Sequence, residues 1–366
     1  MESEMVLVAV VLIMLYLLVN APALLMRRAI TSPKFEDESV AVTVILAVRN
    51  EEHCVKRVVL NLLEQNYRNK EIIIVNDHST DGTARELSTF AGIGGITILH
   101  LADNLTGKKS AIRYAEQFAN GALIVVTDAD VVHPQGWLQL TVSCNSGKDQ
   151  LYGGAVLCQA GEGTFVERMQ QIEFAAIARL NAGYSNLYQP VSMNAANMAY
   201  SRDLVARLHN SDVGAFPGGD DIFKLVAAQR HGISTVFDAE NPVYTIPEKS
   251  WHSFVNQRKR WISKARAYPA GFMSGITAII GVGHIFQVLV LPVLLALSGN
   301  WYYVGLWLAK YVIDVLLLSL AAFETHPSPG FISVLRVALV YPYLAVYVGI
   351  TALTGSYHWK GREYKR

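Results

Sequence analysis

The stretch EIIIVNDHSTDGT, residues 71–83, predicts the fold of this chain. Its first part, Glu71–Val75, is rich in β-branched side chains and ends abruptly in a polar turn. Strands buried on both faces of a parallel sheet have such apolar runs, and open α/β sheets bind their ligands where these strands end. The stretch therefore predicts a buried parallel strand that leads into a ligand-binding loop.

The surrounding sequence, from Val40 to about Tyr268, alternates strand-like and helix-like segments. This alternation indicates an α/β layer in which helices pack on a mostly parallel sheet. The other predicted elements are the strands Val40–Val48, Ile96–Leu101 and Leu123–Thr127, and the helices Glu52–Gln65 and Ser110–Ala119.

The apolar content indicates a membrane protein. Hydrophobic residues make up 52% of the 366 residues, which is more than an ordinary soluble domain contains. Met5–Met26 is an almost uninterrupted apolar run, long enough for the roughly 20 residues of a spanning helix. Arg27 and Arg28 follow it, and the positive-inside rule places them in the cytosol. Thr31–Glu38 is interpreted as a linker.

Three further apolar stretches have the length of spans, at Ile276–Leu297, Trp301–Phe323 and Phe331–Leu353. If all three span and the α/β domain is cytosolic, the basic tail of the chain lies outside, against the positive-inside rule. Pro342 and Arg336 make the last stretch the weakest candidate. We therefore expect two to three spans in this region.

The predicted organisation has three parts: an N-terminal transmembrane helix at residues 1–30, an α/β domain at 31–270, and a C-terminal membrane domain with a basic tail at 271–366. Lys310 and Asp314 lie four residues apart within the middle C-terminal stretch and could pair inside the bundle. We expect the chain in the cell membrane, with its α/β domain on the cytosolic side.

Charge and cysteine content exclude other classes of protein. The formal net charge is +1 and no basic stripe stands out, so nucleic acid is not an expected partner. Cys54, Cys144 and Cys158 lack the spacing of a metal site and suit a reducing compartment without structural disulfides.

Asp128 and Asp130 follow the predicted strand Leu123–Thr127 directly. Two carboxylates one residue apart, just past a buried strand, can reach one hard cation that also binds diphosphate oxygens. Mg²⁺ or Mn²⁺ is the expected cofactor. Taken alone, the D-x-D pair is weak evidence for a metal site, because such pairs are common in turns. Its position strengthens the prediction, because it is the second polar loop that directly follows a predicted buried strand.

Six motifs occur in order: LAVRNEE (46–52), VNDHSTDGT (75–83), GKKSA (107–111), TDAD (127–130), GGDD (218–221) and QRKRW (257–261). The ordered set resembles the inverting family 2 glycosyltransferases. With its flanking spans, the chain is similar to their membrane branch, which includes ceramide glucosyltransferase and the chitooligosaccharide, hyaluronan and cellulose synthases. The resemblance implies a GT-A fold with a Rossmann-like mixed sheet, and a nucleotide-diphosphate sugar, with a UDP-sugar favoured, as donor.

The resemblance also implies roles for residues on the donor side. Asp77 matches the aspartate that holds the nucleotide base, and Glu51 borders the same pocket. Lys108 matches a lysine near the nucleotide, although Lys109 could equally be the residue that turns inward.

Four carboxylates carry the implied chemistry. Asp128 would contact the nucleotide and the metal, and Asp130 the metal. Asp221 matches the catalytic base that takes the proton of the acceptor hydroxyl. Because the family's processive members usually have T-E-D at this place, Asp220 stays an alternative base, and Asp221 is favoured.

The Q-x-x-R-W element is expected to complete the site. Arg260 would neutralise the departing diphosphate as a catalytic residue, and Gln257 would add a neutral hydrogen-bonding group. Trp261 could stack on an acceptor ring or anchor the chain at the membrane interface. Asn197 resembles part of the acceptor side, with a turn as the alternative.

We therefore expect a membrane-bound inverting glycosyltransferase that transfers sugar from a nucleotide donor to a lipid or another membrane-associated acceptor. A lipid is favoured, because up to four spans with short loops are few helices to enclose a channel for a polysaccharide. Processive polysaccharide synthesis is the main enzymatic alternative. An inactive scaffold subunit of an export complex is the non-enzymatic one, and the full set of carboxylates argues against it.

Overall fold

The computed structural model describes residues 2–24, 39–145, 149–159, 161, 163–209, 220–263, 271–325, 327–354, 357–359 and 362–364. Several sequence predictions lie outside the described residues, namely those for Arg27, Arg28, the linker Thr31–Glu38, Gly218, Gly219, Lys360, Lys365 and Arg366.

The strands are β1 (Val42–Val48), β2 (Lys70–Asn76), β3 (Ile96–His100), β4 (Leu123–Thr127), β5 (Val131–Val132), β6 (Gln150–Cys158), β7 (Asn197–Ser201), β8 (Ser234–Thr245), β9 (Tyr357–Trp359) and β10 (Arg362–Tyr364). The helices are α1 (Glu2–Leu24), α2 (Val55–Leu63), α3 (Thr83–Ser88), α4 (Lys108–Glu116), α5 (Trp137–Asn145), α6 (Phe165–Leu187), α7 (Val205–His209), α8 (Asp220–Arg230), α9 (Trp251–Ser263), α10 (Phe272–Ile285), α11 (Leu291–Ser298), α12 (Tyr302–Ala322) and α13 (Phe331–Thr354).

The chain divides into two compact units. The sheet unit comprises Arg28–Leu157 and Tyr188–Ile246, and the helical unit comprises Met1–Arg27, Cys158–Leu187 and Pro247–Arg366. This division differs from the predicted boundaries, because α6 and α9 group with the apolar helices. The segment predicted as one α/β domain, residues 31–270, thus contributes to both units.

The sheet unit is built on an eight-stranded sheet with the order β3-β2-β1-β4-β7-β6-β8-β5. Strands β3, β2, β1 and β4 are parallel, and β7 pairs antiparallel with both β4 and β6. The predicted α/β class with a mixed sheet is therefore confirmed, and the four strands predicted from apolar runs are its parallel part.

Strand β1 lies in the core of the sheet unit, where Val44, Ile45 and Leu46 are fully buried. Helix α2 buries residues at positions i, i+3, i+4 and i+7 from Val55, the spacing that predicts an amphipathic helix. It begins at Val55, three residues after the start of the predicted helix, because the amides of Cys54 and Val55 both donate to the carbonyl of Glu51 in a preceding turn.

Among the described residues of the helical unit, four helices are long and apolar enough to cross a membrane, judged by length and composition: Ser3–Leu24, Phe272–Ser298, Tyr302–Ala322 and Phe331–Ala352. They coincide with the four predicted apolar stretches. Helices α10 and α11 continue one another through a π-helical turn at Phe286–Val290. The turn lies just before Pro292, which lacks the amide that a regular helix requires.

Helix α6 packs against α1 within the helical unit, and two of its side chains donate hydrogen bonds to backbone carbonyl groups of α1. The Nε of Arg179 donates to the carbonyl of Ala23 at 2.7 Å, and the hydroxyl of Tyr184 donates to that of Val19 at 2.7 Å. Gly183 lies between these two side chains and allows the backbones to approach closely.

A buried polar group joins three of the apolar helices. The ammonium of Lys310 lies 2.7 Å from a carboxylate oxygen of Asp314, as the i, i+4 spacing predicted. The hydroxyl of Tyr16 donates to the other oxygen of Asp314 at 2.7 Å, and the Nδ1 of His284 lies 3.0 Å from Lys310. Side chains of α1 and α10 thus form hydrogen-bond contacts with the charged pair of α12.

The Gly183 contact predicts opposite outcomes for two matched glycine substitutions. A Cβ at Gly183 would lie 2.2 Å from the carbonyl oxygen of Pro22, so we expect Gly183→Ala to destabilise the protein by roughly 1–3 kcal/mol. At Gly281 of α10 a Cβ meets nothing within 4 Å, and Gly281→Ala should leave stability unchanged or raise it by up to about 1 kcal/mol. Thermal unfolding in detergent measures both, and equal midpoints for the two variants would contradict the packing.

Candidate active site

Three polar loops meet at one edge of the sheet unit. They are residues 49–52 after β1, 77–83 after β2 and 128–130 after β4. The register pairs Val48 with Asn76 and Leu46 with Thr127, so the three strands end nearly level. This edge is where open α/β sheets bind their ligands.

The first two loops are tied together by hydrogen bonds. The Nη1 of Arg49 donates to the carbonyl oxygens of Asp77 at 2.7 Å and His78 at 3.0 Å. The amide of Gly82 donates to a carboxylate oxygen of Glu52 at 2.7 Å. Arg49 and Glu52 flank the predicted Glu51 in the motif LAVRNEE, and sequence reasoning gave neither a role.

Glu51 is held through its backbone. Its amide donates to the hydroxyl of Thr83 at 2.7 Å, and its carbonyl accepts the amides of Cys54 and Val55 at the start of α2. The main chain at Glu51 therefore joins the first two loops, and a contact of its side chain with a nucleotide stays a prediction.

Asp77 is buried and links the loop after β2 to the start of α4. One carboxylate oxygen accepts the amide of Gly107 at 3.0 Å, and the other lies 3.0 Å from the Nδ1 of His78. Gly107 has a φ of +92°, a value that favours glycine and turns the chain into the helix. The contact fixes the place from which Lys108 projects.

Lys108, rather than Lys109, reaches the loop after β4. Its ammonium forms an ion pair with Asp128, whereas the ammonium of Lys109 lies 5.1 Å from the ring centre of Phe223. Burial alone would lower the pKa of Lys108, but the negative charges of Asp128, Asp221 and Asp220 raise it above its usual value. The structure thus brings the D-x-D loop, Lys108 and the N-terminus of α8 together.

Asp128 and Asp130 provide oxygen donors in the loop between β4 and β5. Asp130 is exposed, and 28% of the side chain of Asp128 is exposed. Carboxylates are the ligands that Mg²⁺ and Mn²⁺ prefer, so these two residues fit a divalent cation. Among the described residues no cluster of three or more His, Cys, Asp or Glu side chains forms a complete metal site.

Asp220 and Asp221 begin α8, where the helix dipole favours negative charge. Asp220 is buried, and its carboxylate lies 2.7 Å from the ammonium of Lys224 one turn along the helix. Asp221 is only half-buried, and one of its oxygens accepts the amide of Ile222 at 2.9 Å. This arrangement favours Asp221 over Asp220 as a group that can meet a substrate.

Asn197 is fully buried at the start of β7. Its amide nitrogen donates to the carbonyl oxygens of Ala155 at 2.9 Å and Asn241 at 2.8 Å, and its oxygen accepts the indole N–H of Trp137 at 3.0 Å. Both ends of the side chain are used within the protein. This geometry favours a structural role for Asn197, and its acceptor role stays a prediction.

The Q-x-x-R-W residues lie on α9 in the helical unit. The amide nitrogen of Gln257 donates to Glu248 at 3.2 Å, and Arg260 is half-buried. The ring of Trp261 packs edge-on against that of Phe174, with centroids 5.7 Å apart. Trp261 thus has one side fixed by protein, and the roles predicted for all three residues stay untested.

Sequence reasoning missed Arg258, the buried residue of this element. Its guanidinium forms an ion pair with Glu173 of α6 and stacks on the rings of Trp261 at 4.1 Å and Phe254 at 4.3 Å. The hydroxyl of Tyr341 donates to the same glutamate at 2.9 Å. Arg258 therefore sets the position of Trp261, and the sequence signal for it was a second arginine beside Arg260.

Comparison with known families finds a match for one segment of the chain. Residues 43–207 match the family model described as Glycosyl transferase family 2. The segment covers the three polar loops and the strands from β1, apart from its first residue, to β7. This segment, which is somewhat less than half of the chain, is therefore similar to family 2 glycosyltransferase domains.

A mannosyltransferase from Pyrobaculum calidifontis, solved in complex with GDP-Man and Mn²⁺, is similar over most of both chains. It superposes with a TM-score of 0.62 and 17% identity over 96% of this chain and 99% of that one. The likeness confirms the predicted GT-A fold.

The poly-beta-1,6-N-acetyl-D-glucosamine synthase of Staphylococcus aureus (strain COL) is 31% identical to this chain over 99 residues. The match covers 27% of this chain and 24% of that protein. The similarity thus spans about a quarter of the length of the curated relatives that the chain matches.

His133, next to the D-x-D loop, predicts a loss of stability in acid. Burial lowers its pKa to about 3, and the charge of Asp128 opposes this only in part. An unfolded histidine titrates near pH 6.5, so between these values the unfolded chain binds a proton that the folded chain excludes. The free energy of unfolding should therefore fall as the pH falls from 6.5 towards 3, by up to about 1.4 kcal/mol per pH unit.

The measurement is the thermal midpoint of the detergent-solubilised protein at pH 7 and pH 5. We expect His133→Asn to have a lower midpoint than the wild type at pH 7, because the partners Thr127 and Asn61 are left imperfectly bonded. Its further decrease at pH 5 should be smaller. Equal decreases in the two proteins would show that His133 does not carry this dependence.

Proposed function

We propose that the protein is a membrane-bound inverting glycosyltransferase that transfers a sugar from a nucleotide-diphosphate sugar to a lipid acceptor. The observation that carries the proposal is the ion pair of Lys108 with Asp128, which lies beside the half-exposed carboxylate Asp221. Lys108 and Asp128 belong to the segment that matches the glycosyltransferase family model, and Asp221 follows it in the chain. A base for the acceptor and charged groups for a diphosphate are thus available at the same sheet edge.

The donor would lie along the loops after β1, β2 and β4. Asp77 and Glu51 would border the nucleotide base, because carboxylate oxygens can accept its N–H groups. Lys108 would attract phosphate oxygens, and its raised pKa keeps the ammonium charged at neutral pH. The mannosyltransferase of similar fold was solved with GDP-Man, so guanosine as well as uridine donors belong in any test.

Asp128 and Asp130 would hold Mg²⁺ or Mn²⁺ next to the diphosphate. When bound, such an ion stabilises the negative charge that develops on a departing diphosphate. The Mn²⁺ in the similar mannosyltransferase supports a divalent ion at a site of this fold.

Asp221 would act as the base. It would take the proton of the acceptor hydroxyl as the oxygen bonds to the anomeric carbon and the bond to the diphosphate breaks, which inverts the configuration. Arg260 would contact the diphosphate, Gln257 would add a hydrogen bond, and Trp261 would stack on the acceptor. These last three roles are supported by the motif resemblance.

The lipid acceptor is supported by the helical unit. Four helices among the described residues have the length and composition of membrane spans. Four helices are few to enclose a channel through which a polymer could pass. An acceptor anchored in the bilayer needs no such channel.

Polysaccharide synthesis is the second candidate, and one observation favours it. The curated relative at 31% identity is a poly-beta-1,6-N-acetyl-D-glucosamine synthase, although only 24% of its length is matched. Product size distinguishes the two candidates, because a lipid acceptor receives one or a few sugars.

If Asp221 is the base, Asp221→Asn should bind the donor within a few-fold of the wild type and transfer sugar about 10²–10⁴-fold more slowly, because the amide cannot accept the proton. Asp203→Asn, at an exposed carboxylate of the same unit, is the matched control and should be fully active. Donor binding and transfer are measured separately in detergent. Normal transfer by Asp221→Asn together with an inactive Asp220→Asn would reassign the base.

If Asp128 and Asp130 hold a divalent ion, chelation with EDTA should abolish transfer, and Mg²⁺ or Mn²⁺ should restore it. Asp130→Asn should need at least about tenfold more metal for half-maximal activity while its thermal midpoint stays unchanged. Asp149→Asn, at another exposed carboxylate, should behave like the wild type. Full activity of the metal-free protein would refute the metal site.

A further inference from the structure

A buried charged cluster lies beside Asp221 and has no part in the chemistry proposed above. The ammonium of Lys224 lies 2.7 Å from Asp220 and 3.6 Å from Glu116. The side chains of Lys224, Asp220 and Glu116 are only 1%, 4% and 2% exposed. Charges buried this deeply are stable only when they are paired and hydrogen-bonded.

Glu116 has two further partners. The hydroxyl of Tyr200 donates to one of its carboxylate oxygens, and the Nε2 of His209 contacts the other. The Nε of Arg113 donates to the Nδ1 of His209 at 3.0 Å. An arginine nitrogen can only donate, so this Nδ1 is unprotonated and the proton of His209 is on Nε2, from which it is donated to Glu116.

The cluster is electrically balanced. Arg113 and Lys224 are cations, Asp220 and Glu116 are anions, and His209 is neutral. Burial would raise the pKa of Glu116, but Lys224, His209 and Tyr200 hold it below its usual value. Burial would lower the pKa of Lys224, but Asp220 and Glu116 raise it. Glu116 and Lys224 therefore keep their charges at neutral pH.

The cluster joins the N-terminus of α8 to the C-terminus of α4. Asp220 and Lys224 are one turn apart on α8, and Glu116 is the last residue of α4. The first residue of α4 is Lys108, which pairs with Asp128. Successive residues of a helix point about 100° apart, so Asp220, which faces the cluster, leaves Asp221 turned away from it.

We propose that Asp220, Lys224 and Glu116 are positioning residues that hold the Asp221 carboxylate at the sheet edge, and that Asp220 is not the base. The inference rests on the proposed function, because it takes Asp221 to be the group that accepts the proton. It adds a specific role for a lysine and a glutamate that lie outside the six sequence motifs.

The charge balance of the cluster provides the test. Removal of Asp220 or Lys224 alone leaves the cluster with an uncompensated net charge, whereas removal of both leaves Glu116 balanced by Arg113. The variants are Asp220→Asn, Lys224→Met and the double substitution Asp220→Asn/Lys224→Met in the full-length protein. For each we would measure the thermal midpoint, kcat, and KM for the donor in detergent.

We expect each single substitution to lower kcat at least about tenfold with KM changed less than about threefold, because the base is displaced while donor binding remains. The double variant should recover to within about threefold of the wild-type kcat. A double variant as inactive as Asp220→Asn would overturn the inference, since it would make Asp220 a base. Folded single variants with wild-type kcat would overturn it as well.

A milder change covers the case in which the single variants do not fold. Tyr200→Phe removes one hydrogen bond to Glu116 and no charge, and it should lower kcat by about threefold with KM unchanged. An unchanged kcat in Tyr200→Phe would then overturn the inference. Absence of transfer by the wild type would refute the proposed function and this inference with it, whereas an active wild type with unaffected variants would refute only the inference.

Discussion

The parallel alignment of β2, β1 and β4 is the constraint on which the rest of the site depends. These strands are buried on both faces, so polar side chains gather only where the strands end. Because Val48 pairs with Asn76 and Leu46 with Thr127, the ends lie at one edge. Backbone register thus brings Asp77 near the start of α4, and from there Lys108 reaches Asp128.

Much of the fold could be predicted because its signals are local. Apolar β-branched runs located the four parallel strands within two residues at each end, and long apolar runs located the four candidate spans. The antiparallel strands were harder. One partner of β7 is β4, whose paired residues lie 70 to 78 positions earlier, and β5 has only two residues, so neither β7 nor β5 carries a periodic pattern of its own. The grouping of α6 with the apolar helices likewise depends on tertiary contacts such as that of Arg179 with Ala23.

In the candidate site, motif order identified the loops but not the direction of each side chain. Lys108 and Lys109, like Asp220 and Asp221, are neighbours that differ in helix phase, which only the structure resolves. Arg258 and Glu173 escaped prediction for a different reason. Their importance comes from a buried ion pair between residues far apart in sequence, which spacing cannot reveal.

Product analysis with the purified full-length protein is the most direct test of transfer to a lipid. The protein in detergent would be incubated with Mg²⁺ or Mn²⁺, a panel of labelled UDP- and GDP-sugars and a total lipid extract. We expect one donor to yield a discrete, organic-soluble glycolipid that Asp221→Asn does not form. A labelled high-molecular-weight polymer, or no transfer from any donor, would contradict this account.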